Sequence, residues 1–430
     1  VGRSRIKYGK AATGGKDNTA KWRKAKMEKL GVLFLMGPTD CNDPHIPAYG
    51  QEFLQNLGKE LGREVACVPQ EEWKKEQLPI FFIASGGAEP GFKKAFHEVK
   101  PPYVLLTVPA YNSLAAAMEI MGFLEAEGEK GEILHGDLAD IAHRIRVLER
   151  VAAAKSRMAG MRLGAIGKPS GLISSEANAE KLQQASGMQI VDLELQELIE
   201  EYHKGGYEEN DYTRALKAQR YDAKEVEEAL NVYGAVERMV VRHNLQAVTV
   251  RCFDLLGLIH TTGCLALAIL NAKGIPAACE GDTKSLISMV VSFLLTGQSS
   301  FMANPSCMDP EKGEIIFAHC TLPLDMPDRY TLTTHFESGI GVAVSGDLPA
   351  GPVTVFKCND DMTRFYAGEA QLMESLHRGD LCRTQMRLVL KDGTDYFAHR
   401  PISNHHMIVR GAWAEVFEEF FAPLQNSARQ

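Results

Sequence analysis

Short apolar runs alternating with helical patterns constrain this chain more than any other feature. "LGVLFLMG", "EVACVP", "IFFIAS" and "YVLLTVP" are all of strand length and apolar through most of their course. Such runs mark strands covered on both faces, as in a parallel sheet flanked by helices. The segments between them read as helices. "YGQEFLQNLGKELG" places Phe53, Leu54, Leu57 and Leu61 on one face, and "NSLAAAMEIMGFLEAEG" opens on an Asn-Ser cap and closes on a Gly. "GEILHGD" adds a further strand. Residues 27–160 are therefore predicted to form a first α/β domain.

The pattern restarts after the helix "ADIAHRIRVLERVAAAKSRMAG". "MRLGAIGKPS" is a strand running into a turn, and "MQIVDLELQELIEEYHKG" is a strand followed by a helix. "LQAVTVRCFD" and "IPAACEGD" are strands separated by the helix "TGCLALAILNAKG". This predicts a second doubly wound domain over residues 161–306. From about Cys307 the texture changes to strand candidates broken by Gly, Pro and Asp: "EIIFAHCTLP", "YTLTTHFES", "GVAVSGDLPAG", "PVTVFKCND", "MTRFYAGEA", "CRTQMRLVL" and "YFAHRP". "AWAEVFEEFFAPL" closes the chain as a helix. The expected fold is α/β: two doubly wound parallel-sheet domains, then a mainly antiparallel β-barrel domain over residues 307–430.

At 430 residues, two or three domains are expected. Residues 1–26 are basic, Gly-rich and poor in apolar side chains. They read as a disordered leader or a non-native extension, with Met27 as the natural start; a nucleic-acid-binding tail is the second reading. The net charge of -8 argues against a nucleic-acid partner, and no apolar run approaches the roughly 20 residues of a membrane helix. The 9 cysteines are scattered without CxxC spacing, several of them in apolar runs. Buried thiols in a reducing, cytoplasmic setting fit this better than disulfides or a zinc finger.

Glu280 and Asp282 directly follow the strand "IPAAC", at the carboxyl edge where open parallel sheets hold their ligands. Carboxylates there can bind Mg²⁺ or Mn²⁺. Asp282, with "TKSL" after it, can equally cap a helix. His319 in "IIFAHCTLP" is either a satisfied core residue or a ligand. His405 and His406 are adjacent, and in a strand neighbours point to opposite faces, so at most one should face a shared site. Glu337 in "THFESG" is a site residue or a surface turn. "ASGGAEPG" and "AIGKPSG" match neither GxGxxG nor a P-loop, which disfavours a nucleotide enzyme.

The ordered set "EGDTK", "SFM", a strand with a lone His and a late "NHH" resembles the L-fucose isomerase and L-arabinose isomerase superfamily, nearest to its fucose-isomerase-like members. "GAIGKPS" and "THFESG" share that look, and the resemblance runs in domain order from Met27 to the C-terminus. It implies two α/β domains and a C-terminal β-barrel. It also implies aldose–ketose isomerisation of a sugar through an enediol with a divalent ion, usually Mn²⁺, in a homo-oligomer that is a trimer or hexamer. On that resemblance Glu280 is ligand and base, His405 or His406 the late ligand, and His319 a ligand or polar wall. Asp282 and Glu337 are further substrate-binding positions. The family's second carboxylate falls at Ala303 or Asn304 of "SFMANP", with Asn304 the closer match. An Asn coordinates through its carbonyl oxygen but cannot accept a proton as a base. Asp309, in the loop that follows, is the substitute carboxylate. Two classes of function result: a metal-dependent aldose–ketose isomerase, or a catalytically altered or inactive sugar-binding homologue.

Overall fold

Strand β1 (Lys29–Leu35) shows why its sequence is apolar on both parities: Leu30 and Val32 enter one core, Leu33 and Leu35 the other. The computed structural model describes residues 29–38, 44–169 and 171–425; the leader expected over 1–26 lies outside them. The chain divides into two compact units, one ending at Ala153 and the other starting at Ala154.

In the first unit β1 sits inside a five-stranded parallel sheet with β2 (Glu64–Cys67), β3 (Ile80–Ile83), β4 (Tyr103–Thr107) and β5 (Gly131–Leu134), in the order β2-β1-β3-β4-β5. Helices α1 (His45–Leu61) and α3 (Leu138–Met158) cover one face through Ile46, Leu54, Leu57, Ile141, Ile145 and Leu148. Helix α2 (Ser113–Ala126) covers the other with Ala116, Ala117, Ile120 and Leu124. Cys67, expected to be buried, is exposed because β2 is the edge strand of this sheet. None of the described cysteines forms a disulfide.

The second unit contains a four-stranded parallel sheet and the barrel. The sheet joins β6 (Arg162–Ile166), β7 (Gln189–Leu193), β8 (Ala247–Val250) and β9 (Ala277–Ala278) in the order β7-β6-β8-β9. Helix α4 (Leu195–Lys204) is clamped to α5 (Ala223–Arg242), where the buried Glu201 pairs with Arg238 and Arg242. Helix α6 (Cys264–Ala272) is buried at every residue, and α7 (Thr283–Thr296) at every residue except Lys284. Helices buried on all sides are apolar all round.

Six antiparallel strands close the barrel: β10 (Phe301–Asp309), β11 (Glu314–His319), β14 (Gly351–Cys358), β15 (Phe365–Leu376), β16 (Thr384–Leu390) and β17 (His406–Arg410). Their order is β10-β11-β16-β15-β14-β17, and the pairing of Met302 with Met407 closes the ring. Strands β12 (Arg329–Thr333) and β13 (Ala343–Asp347) form a separate hairpin. Helix α7 lies between β8 and β9 on one side and β14 and β17 on the other, so it joins sheet to barrel. Helix α8 (Ala414–Gln425) stacks Phe417 on Phe356 at 4.0 Å.

The fold class is the one the sequence predicts, with a local exception. "YFAHRP" is not a strand; Asp395–His399 is a short helix. A strand would send Tyr396 and Phe397 to opposite faces. Here both rings pack against His406, with centroids at 5.5 and 5.0 Å. No described helix is long and apolar enough to cross a membrane.

The clamp on Glu201 yields a pH prediction. Hydrogen bonds from Lys204, Arg238 and Arg242 hold its carboxyl at about 2, below the ordinary glutamate value. A depressed folded-state pKa stabilises the protein above the unfolded pKa, and this contribution is lost as pH falls from about 4.5 towards 2. Glu201→Gln should therefore lower stability on the order of 2 kcal/mol at neutral pH. The difference from wild type should shrink as pH is lowered through that window, as read by urea unfolding at several pH values.

Candidate metal centre

The strand–helix junction Cys279-Glu280-Gly281-Asp282 turns through two successive left-handed residues, Glu280 at φ 65° and Gly281 at φ 68°. Gly281 is needed twice over, since a Cβ there would stand 2.8 Å from the carbonyl oxygen of Lys168. A non-glycine residue in this region is strained by about 1–2 kcal/mol, and such strain collects at functional sites. The bend is held by the Gly281 N–H donating to Val250 O at 2.9 Å and the Asp282 N–H to Cys279 O at 3.1 Å.

Two histidines meet Glu280 there. His319 ends β11, and its Nε2 is 3.4 Å from Glu280 Oε1. His405 immediately precedes β17, and its Nε2 is 3.5 Å from the same oxygen. The two rings meet edge to face at 5.4 Å. One donor atom from each of the three side chains lies within 4.8 Å of the other two. Both imidazoles are anchored through the opposite nitrogen: His319 Nδ1 is 2.9 Å from Thr321 Oγ1, and His405 Nδ1–H donates to Asp282 Oδ2 at 2.8 Å. Orientation of an imidazole through its second nitrogen, often by a carboxylate, is the usual support of a metal-binding histidine. One carboxylate and two so-oriented imidazoles could hold a divalent ion.

Asp282 is both a cap and a site residue. Its Oδ1 accepts from the Ser285 N–H at 2.7 Å, capping α7, while Oδ2 accepts from Ser285 Oγ–H at 2.6 Å and from His405. It is completely buried, so its place is behind His405 and not against a substrate. Burial opposes its ionisation, but Lys357 and the His405 and Ser285 bonds hold its carboxyl well below the usual range. Glu280 is likewise held low, against burial, by His319 and His405. Burial also opposes charge on His405, yet its two carboxylate neighbours raise it to about 9.

The remaining predicted positions lie elsewhere. His406 points away from the cluster: its Nδ1 is 2.9 Å from Asn404 O, its Nε2 is 3.0 Å from the Tyr396 hydroxyl, and aromatic rings surround it. Burial and the nearby Lys357 charge push it down to about 3, so it is a neutral core residue and not a second late ligand. Neighbouring residues of a strand face opposite ways, and here the choice falls on His405. Asn304 stands one residue out from the cluster. Its Oδ1 accepts from Asn404 Nδ2 at 3.0 Å, and that Nδ2 lies 3.4 Å from His405 Nε2. Ala303 is fully buried opposite His406. Asp309 ends β10 at a hairpin, paired with Lys312 at 2.8 Å, so the chain does not fold it back as a substitute carboxylate. Glu337 is an exposed residue of the β12–β13 connection, outside the cluster.

Sequence reasoning missed Thr321, Ser285, Asn404 and Lys357. Lys357 had a visible signal, a lone charge inside the apolar strand "PVTVFKCND".

The fold and cluster define an α/β protein with an antiparallel barrel, carrying a two-histidine, one-carboxylate site between a parallel sheet edge and the barrel strands. No family model matches the chain. Among curated proteins it is similar to a sulfoquinovose isomerase of Clostridium sp. (strain MSTE9), 25% identical over 228 residues, 51% of this chain and 49% of that one. It is also similar to the sulfoquinovose isomerase of Priestia aryabhattai, 26% identical over 261 residues, 57% of this chain and 58% of the relative. A third, from Alkalicoccus urumqiensis, is 23% identical over 266 residues, with 57% and 59% covered. The chain spans about half the length of the curated relatives it matches. These relatives are sulfoquinovose isomerases, not fucose or arabinose isomerases. A solved structure, D-threo-3-hydroxyaspartate dehydratase from Delftia sp. HT23, is 11% identical with 90% and 91% covered, but its TM-score of 0.12 carries no argument.

The two acids should part company in stability measurements. Asp282→Ala removes a cap worth about 1 kcal/mol and leaves His405 buried without its carboxylate, a loss of about 3–5 kcal/mol for a broken buried pair. Glu280→Gln keeps the shape and has no cap to lose, so it should cost less than Asp282→Ala although it too removes a carboxylate paired with His405. Chemical denaturation of both variants checks this; a loss in Glu280→Gln as large as that in Asp282→Ala would overturn the ordering.

Proposed function

We propose that this protein is a metal-dependent aldose–ketose isomerase acting on a sugar or sugar derivative. The observation that carries the reading is the convergence of Glu280, His319 and His405 on one point, with His405 held from behind by Asp282. The similarity to sulfoquinovose isomerases supports the same class and makes sulfoquinovose the first sugar to test.

Glu280, His319 and His405 would hold the ion. Imidazole donors favour a transition ion such as Mn²⁺ over Mg²⁺, which prefers an all-oxygen shell. When bound, such an ion acts as a Lewis acid that acidifies the hydrogen beside a sugar carbonyl. Isomerisation then requires a base to move that hydrogen between neighbouring carbons through an enediol. Asp282 is committed to three donors, so Glu280, with 13% of its side chain exposed, is the carboxylate available for proton transfer. Asn304 and Asn404 form an amide pair beside His405 that can bind sugar hydroxyls but carries no proton. The homo-oligomer implied by family resemblance is part of this reading.

The test is turnover on sulfoquinovose and a panel of aldoses, with and without Mn²⁺, after chelation. Mn²⁺-dependent ketose formation is expected, and Glu280→Gln should abolish it while the fold persists. Sugar binding without turnover would favour the non-catalytic homologue. Asn304→Asp adds a negative charge beside the cluster and should tighten Mn²⁺ binding, as read by titration calorimetry; unchanged binding would remove Asn304 from the site.

A further inference from the structure

Lys357 is the most unexpected charge in the molecule. It lies in barrel strand β14 and is fully buried. No described carboxylate forms an ion pair with it; its Nζ donates to Ser285 Oγ at 2.8 Å. A buried ammonium is costly, and a strand position of this kind could hold Met without that cost. Something must compensate.

The compensation is visible in the direction of the hydrogen bonds. A serine hydroxyl has one hydrogen to give. Because Ser285 Oγ accepts from the Lys357 ammonium, its own hydrogen is directed to Asp282 Oδ2 at 2.6 Å. That same oxygen accepts the His405 Nδ1–H at 2.8 Å, and Oδ1 accepts the Ser285 N–H at 2.7 Å. With three donors in place the carboxylate has one orientation. The ring of His405 then has one orientation as well, with Nε2 turned to Glu280. The chain Lys357–Ser285–Asp282–His405 runs from a barrel strand, through the first turn of α7, to the cluster.

We propose that Lys357 is a positioning residue of the metal site: its ammonium sets the Ser285 hydroxyl, which locks Asp282 and so aims His405. This rests on reading the Glu280, His319 and His405 cluster as a metal site.

The experiment is Mn²⁺ titration of the metal-free full chain by calorimetry, for wild type, Lys357→Met, Asp282→Asn and the double variant, with thermal unfolding of each. Loss of a group that orients a metal-binding histidine weakens affinity about 10–100-fold. Lys357→Met should show a loss in that range while it still unfolds in one cooperative transition, at a lower temperature than wild type because the buried Asp282 carboxylate has lost a compensating charge. In the Asp282→Asn background the Lys357 change should add nothing, since both act on one carboxylate. Wild-type affinity in Lys357→Met, or losses that multiply in the double variant, would overturn the proposal. If Lys357→Met does not fold, Ser285→Ala keeps both charges and removes only the relay; it should show the same loss, and wild-type affinity would again overturn it. A wild type that binds no Mn²⁺ overturns the metal reading itself, a result distinct from a binding wild type with an unaffected Lys357→Met.

Discussion

The carboxylate of Asp282 holds this site and part of the fold together. It is buried at the start of α7, where it satisfies an N–H that the helix leaves unpaired, and it receives a serine hydroxyl and an imidazole as well. The same three donors serve two purposes. They start a helix that is buried along nearly its whole length, and they tie that start to the barrel through His405. A carboxylate with no access to water must have every acceptor direction filled, and the barrel and helix supply the donors. Loss of Asp282 would therefore be felt at the sheet edge, in the helix and in the barrel together.

The geometry of the cluster follows from where the chain crosses between layers. β9 has only two residues before the chain turns left-handed at Glu280 and Gly281. That turn places Glu280 beyond the carboxyl edge of the parallel sheet, the edge that such sheets use for ligands. The barrel brings its two histidines to the same place from strand ends, His319 at the close of β11 and His405 just before β17. Helix α7, packed between sheet and barrel, fixes the distance between the two sources of donors.

Much of the architecture was legible because it depends on periodicity. Continuous apolar runs such as "IFFI" are buried on both faces as β3, and the Gly- and Pro-punctuated C-terminal region supplies most of a barrel whose first strand begins at Phe301, six residues before the change of texture at Cys307. What was not legible depends on which side chains meet. "YFAHRP" reads as a strand by composition, and only the aromatic neighbours of His406 show why a helical turn is preferred. Cys67 reads as core until the sheet order makes its strand an edge. At the site, the order of "EGD", "SFM" and "NHH" pointed to the neighbourhood. The alternation rule allowed only one of His405 and His406, and strand direction, which a sequence does not contain, made the choice.

The single carboxylate of the cluster bears on how the proposed site would bind a metal. With Asp282 compensated by Lys357 through Ser285, the charge facing the cluster is that of Glu280 alone. A site with one carboxylate attracts a hard ion weakly, because oxygen anions supply most of the affinity for Mg²⁺ and Ca²⁺. Imidazoles contribute in another way, through donor character and not charge, and so shift preference toward transition ions. His319 and His405 supply that character only if their rings are fixed, since a free imidazole loses on ordering part of what it gains on binding. In the proposed site two anchored histidines would do the work of a second carboxylate, and the buried relay behind His405 would supply orientation where charge is lacking.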